Sequence, residues 1–231
     1  MTATPFRIGM LLFPQITQLD LTGPYEVFAS MPGAELHLLW KTRDPVRADS
    51  GLTILPTTTL AEVPKLDLIC VPGGPGMNAL LTDAEVLDFL RRAADGARYV
   101  TSVCTGALVL GAAGLLRGKR AATHWMSREM LRELGAEPVA ERVVVDGNVI
   151  TGGGVTAGID FALRVVAEVA GREVAEAIQL RIEYDPHPPF DAGSPDRAPP
   201  GLVETVRARA AERQKARGEQ VRRAATALKL G

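Results

Sequence analysis

The sequence predicts an α/β fold, a mostly parallel sheet flanked by helices on both faces. Short apolar runs of strand length alternate with segments whose apolar residues recur at helical spacing. Strands separated by helices form βαβ units, which lay their strands parallel in one sheet. The 231 residues suit one large domain of this kind and can bury a substantial core.

Taken in order, Phe6–Phe13 reads as a buried strand, and a helix is expected to start near Pro24. Leu36–Trp40 and Leu66–Pro72 are the next strands. Asp83–Gly96 places Val86, Phe89, Leu90 and Ala93 on one face, with Asp83 as N-cap and Gly96 as the stop. Arg98–Cys104 is the fourth strand, and a helix-forming run from Ala107 to Leu116 follows it. Arg142–Val145 and Asn148–Thr151 flank Asp146-Gly147, a hairpin signal. Thr156–Gly171 and Arg172–Tyr184 read as two helices divided at Gly171. Residues 186–200 hold six of the sixteen prolines and predict an extended arm. The stretch Leu202–Leu230 has helical character. Residues 1–185 are therefore expected to form the α/β domain, with 186–231 an arm and terminal helix packing on that domain or on a partner.

Charge is nearly balanced, with 26 basic and 27 acidic residues, so no global field points to nucleic acid or acidic substrates. The balance is uneven, because residues 201–231 hold eight Lys or Arg against three Glu. A basic helix can meet nucleic acid or membrane. Glu is interspersed here and aromatics are absent, which favours a solvated or partner-facing helix. No apolar run approaches the ~18 residues of a membrane span. The N-terminal apolar run stops at Pro14, too short for a signal segment. Two cysteines, Cys70 and Cys104, make neither a disulfide framework nor a metal motif, and the cytoplasm is the expected compartment.

The richest stretch is Tyr99–Leu108, where a β-branched run enters, Cys104 sits at the bend and a helix leaves. That layout holds a nucleophile in a strained elbow. It also places the sulfur at a helix N-terminus, which favours thiolate over thiol. A buried structural cysteine is the alternative. Cys70, in an apolar strand, reads as core.

Loops at the carboxyl edge of a parallel sheet supply its binding sites. In the first of them Asp20 lies between two leucines, as a site acid or as N-cap of a helix starting near Pro24. Glu26 is a second candidate acid, equally suited to a helix surface. Pro72-Gly73-Gly74-Pro75-Gly76 could converge backbone N–H groups on an anion or simply turn the chain. The Walker pattern is missing there. Gly152-Gly153-Gly154 admits close backbone approach or a bend. Of the three histidines, only His124 is a credible visitor to the site; His37 is in a strand and His187 in the arm. No His and carboxylate pair has metal-ligand spacing.

Ser102-Val103-Cys104-Thr105-Gly106, Pro72-Gly73-Gly74 and Thr123-His124-Trp125 together resemble the ThiJ/PfpI branch of the glutamine-amidotransferase-like superfamily, with its flavodoxin-like fold. The likeness extends through Gln18–Pro24, Thr151–Leu163 and Pro188–Pro195. It implies a cofactor-independent, homodimeric hydro-lyase that adds water across a small-molecule isonitrile to give an N-substituted formamide. Neither nucleic acid nor membrane is an implied partner. Carried over by position, Cys104 is the nucleophile and Asp20 the general acid/base. Thr105, Gly74, Pro75 and Val155 are implied as pocket or oxyanion support. Thr105 stands where the protease-like branch has histidine. The expected resting state is a Cys104 thiolate beside a protonated Asp20, a coupled pair sharing one proton. Amidotransferase-like domains of AraC-type regulators share the Cys-Thr-Gly and Thr-His-Trp patterns, so a sensing domain is the second reading. The stretch after Pro200 is short for two helix-turn-helix motifs. A glyoxalase-like cysteine hydratase is the third reading.

Overall fold

The computed structural model describes residues 4–229. Seven strands form the main sheet: β1 (Phe6–Leu11), β2 (Ala34–Trp40), β3 (Thr58–Thr59), β4 (Leu68–Val71), β5 (Tyr99–Val103), β6 (Val143–Asp146) and β7 (Val149–Gly152). Their spatial order is β6-β7-β5-β4-β1-β2-β3. Every neighbouring pair is parallel except the β6–β7 hairpin. β4 and β7 are buried along their whole length, as expected of strands covered on both faces.

Six main helices cover the sheet: α1 (Gln18–Ala29), α2 (Ala84–Gly96), α3 (Gly106–Ala112), α4 (Ala157–Ala170), α5 (Arg172–Arg181) and α6 (Pro200–Lys229). α1, α4 and α5 pack as one layer, whereas α2, α3 and α6 associate in another. α2 follows its sequence signals closely. Asp83 caps it, accepting from the Val86 N–H at 3.2 Å, and Val86, Phe89 and Leu90 are buried.

Some boundaries differ from expectation. α1 starts at Gln18, six residues before Pro24, so proline lies inside the helix. Inside a helix proline withholds one N–H, here the partner of the Asp20 carbonyl, and its ring crowds that carbonyl. α3 ends at Ala112 rather than Leu116. The hairpin turn falls on Gly147-Asn148, with Asp146 still in β6; Gly147 takes the positive φ of 63°. α6 starts at Pro200, and the last residue of the expected helix, Leu230, lies outside the described residues. Among the described residues no helix is long and apolar enough to cross a membrane.

The topology positions the site. β5, β4 and β1 are adjacent, so the loops leaving their carboxyl ends stand side by side. Those loops carry Cys104, Gly73-Gly74 and Asp20. β1 leads to β2 on one side and β4 leads to β5 on the other, which makes the β1–β4 gap a switch point of the sheet.

Candidate active site

Cys104 terminates β5 with φ of 55°, a left-handed conformation that few non-glycine residues adopt. The strain is held from three directions. Its N–H donates to the carbonyls of Gly152 (3.1 Å) and Gly153 (2.8 Å), while its own carbonyl accepts from Thr123 Oγ1 at 2.7 Å. The triple glycine after β7 thus brings carbonyls close to the elbow. Gly106 is required for close approach, because a Cβ there would overlap the Val71 carbonyl oxygen. Cys104 itself is 5% exposed.

Asp20 sits in the first turn of α1 and is fully buried. The expected N-cap role is not observed, since Thr17 occupies that position and the helix has already begun. Its Oδ2 accepts the Gly73 N–H at 3.1 Å. Oδ1 is buried with no conventional hydrogen-bond partner. The neighbouring side chain with which the carboxyl interacts is the Cys104 thiol.

Burial dominates the electrostatics of this pair. It pushes Asp20 up to about 7, against the opposing pull of Cys104 and the Gly73 N–H. It pushes the Cys104 thiol well above the usual thiol range, reinforced by the Asp20 charge. The Thr105 N–H and the Arg217 guanidinium act in the other direction, toward the sulfur anion. Burial raises both groups, so the pair resists carrying two charges, as expected of two acids sharing one proton. Near neutral pH it holds at most one negative charge. Cys70, at 0% exposure, is pushed up to about 12 by burial and lies within β4.

The glycine turn after β4 is not a free anion nest. Gly73 N–H is taken by Asp20, and Gly74 N–H donates to Thr105 Oγ1 at 3.1 Å. The Gly74 donor is spent on fixing Thr105, which leaves Gly74 the pocket-wall role of the two expected for it. Gly74 adopts φ of 135°, and a side chain there would strike the Thr17 backbone. The turn instead orients the acid and the residue next to the nucleophile.

Cys104, Thr105, Gly74, Pro75 and Val155 share the wall of one cavity of about 160 Å³. His124 joins them, its imidazole driven down to about 4 by burial and by Arg217 and Arg213. Glu26 does not, being exposed on α1 and paired with Arg181 at 3.1 Å. The opposite wall comes from α6, as Arg213, Gln214 and Arg217. The terminal helix, expected to pack on the domain or on a partner, packs on α3 and reaches the site. Its charge pattern gave no signal of this, because eight basic residues look alike in sequence and, among those whose side chains are described, only Arg217 is buried. A larger cavity of about 400 Å³ lies elsewhere, between the segment Leu60–Leu66 and α2, and contains neither Cys104 nor Asp20.

A cysteine elbow at the carboxyl edge of a parallel sheet, paired with a carboxyl from the first loop, defines the class, and the DJ-1/PfpI family model matches residues 6–168. The chain belongs to that family. It is 58% identical to the isonitrile hydratase of Pseudomonas putida over 97% of this chain and 98% of that protein. The crystal structure of a ThiJ/PfpI family protein from Pseudomonas syringae superposes with a TM-score of 0.91 at 44% identity, covering 96% of this chain and 94% of that one. An HTH-type transcriptional regulator, GbdR of Pseudomonas aeruginosa, is 31% identical over 78% of this chain, which covers 51% of the regulator.

Proposed function

We propose that this protein hydrates isonitriles to N-substituted formamides, as a hydro-lyase acting through Cys104 and Asp20. The carrying observation is the buried Asp20–Cys104 pair, with Thr105 rather than histidine after the cysteine. Near-full-length similarity to an isonitrile hydratase supports the same reading.

The chemistry follows from the pair holding one proton and one negative charge. Asp20, as carboxylate, takes the Cys104 proton while sulfur bonds to the terminal isonitrile carbon. Asp20 then returns that proton to the same carbon, giving a thioimidate, R–N=CH–S–Cys104. The regenerated carboxylate accepts a proton from water as the water oxygen bonds to the thioimidate carbon. Asp20 passes that proton to the nitrogen, the C–S bond breaks as the hydroxyl proton of the adduct passes by way of Asp20 to sulfur, and formamide leaves with the thiol and the carboxylate restored. Isonitrile and water are consumed one for one. General acid–base assistance of this kind is worth roughly 10²–10⁴-fold. Dryness serves the sequence, since a raised Asp20 both accepts and donates near neutral pH.

Residues 1–185 would form the catalytic domain and 186–231 an appendage that completes its pocket. A homodimer in the cytoplasm accompanies this reading. Phe190 in the proline-rich arm is 79% exposed and Leu180 at the end of α5 is 82% exposed, apolar surface that a second copy would cover. The chemistry requires no cofactor, nucleic acid or membrane.

Similarity to half of GbdR supports one rival, a sensing domain that binds without turnover; a glyoxalase-like hydratase is the other. Methylglyoxal and an aryl isonitrile assayed side by side separate them. Formamide formation with no lactate is expected. Lactate alone, or no turnover together with retention of genomic fragments in a gel shift, would overturn the proposal.

A further inference from the structure

Arg217 is a buried cation with no salt-bridge partner among the described residues. It is 4% exposed. Its Nε donates to Asn78 Oδ1 at 3.0 Å and its Nη1 to Ser127 Oγ at 3.0 Å, both neutral acceptors. Ser127 in turn donates to Gln214 Oε1 at 3.1 Å, which fixes the hydroxyl and hence the guanidinium. None of the ion pairs among the described residues includes Arg217. A buried guanidinium left uncompensated is strongly unfavourable, and what remains open to it is the cavity it shares with Cys104.

We propose that Arg217 is the counter-ion of the Cys104–Asp20 pair, a positioning residue from the C-terminal helix that holds the pair's negative charge and steadies sulfur as it leaves the water adduct of the thioimidate. The other charged or titratable groups at this wall do not substitute for it. Arg213 is exposed and solvent-screened. His124 is kept neutral by burial and the two arginines. Asp49, at the cavity wall, accepts from Thr17 Oγ1 at 2.8 Å and carries the wrong sign. Of the elements packed on α6, α3 and the turn Met77–Leu80 carry no charge, and Met130–Glu133 carries only exposed Arg132 and Glu133. Arg128, beside Ser127, is half-buried. Only Arg217 is both charged and anchored. Its field favours the sulfur anion directly, so its loss should raise the pH at which Cys104 becomes nucleophilic.

The inference rests on Cys104 and Asp20 being the reactive pair, as proposed above, but not on the substrate. The test is alkylation of the full chain by iodoacetamide, in which sulfur bonds to carbon and iodide leaves, followed from pH 5 to 10 and mapped to Cys104 by peptide mass. Arg217→Met should shift the midpoint up by about one pH unit and slow the reaction about tenfold at pH 7. Arg217→Lys should stay within about threefold of the parent. With an isonitrile, kcat should fall more than KM rises in the Met variant. Should Arg217→Met fail to fold, Arg217→Gln, which retains a donor for Ser127, serves as the neutral variant. Unshifted alkylation midpoints in a folded neutral variant would overturn the proposal and leave Arg217 a packing residue. Absence of isonitrile turnover in the parent would count against the substrate, while the alkylation profile would still decide Arg217.

Discussion

The carboxyl of Asp20 meets the thiol of Cys104 in a space almost closed to water, one contributed by the first turn of α1 after β1 and the other by the elbow after β5. The strand between them, β4, supplies the Gly73 N–H that pins one Asp20 oxygen at 3.1 Å. Sheet order thus makes neighbours of residues far apart in sequence. Burial then sets their chemistry, because neither group can ionise without loss of hydration.

Stability should report this burial. Asp20 is raised from 3.8 to about 7, so between those values the folded chain binds more protons than the unfolded one. Its contribution is fully present below pH 4 and is lost as pH rises through 7. Asp20→Asn should therefore match the parent near pH 4 and exceed it at pH 8, by at most about 4 kcal/mol. Denaturant unfolding at the two pH values measures the difference.

Catalysis should run the other way. Proton transfer from Cys104 requires Asp20 as carboxylate, so kcat/KM for an isonitrile should climb through pH 7 as the carboxyl ionises. In Asp20→Asn that limb should vanish with most of the rate, a loss of about 10²-fold or more. Steady-state profiles from pH 5 to 9 test it; an unchanged limb would assign the proton to another group.

Thr105 is held by a hydrogen bond that valine cannot accept. Thr105→Val leaves the buried Gly74 N–H unpaired and should destabilise the fold by about 1–3 kcal/mol. It should also slow turnover by loosening the turn that carries Asp20's partner, Gly73. Thermal melting and kcat measured on the same preparation check both effects.

The sequence order of strands and helices was readable because periodicity is local. The Asp83 cap and the split at Gly171 depend on neighbours within a turn, and they fall where the residues suggest. Asp20 was readable as an unusual acid between leucines but not as a member of α1, since Pro24 signals a helix start more strongly than Gln18 does. That Gly73 and Gly74 spend their N–H groups on Asp20 and Thr105 has no local sign, as the partners lie in other loops. Arg217 was hidden for the same reason: its anchors, Asn78 and Ser127, are distant in the chain, and only the packing of α6 on α3 distinguishes it from its basic neighbours.

The arm and α5 make a further expectation about assembly. Sedimentation at micromolar concentration should give twice the chain mass, and Leu180→Asp combined with Phe190→Asp should reduce it to one. A parent that sediments as a monomer would remove the dimer from the account.

The most direct measurement is intact and peptide mass after rapid mixing with an aryl isonitrile and acid quench. A transient gain equal to the whole isonitrile, mapped to Cys104 and absent in Cys104→Ala along with turnover, is the predicted result. Formamide production by Cys104→Ala at the parent rate would contradict the account.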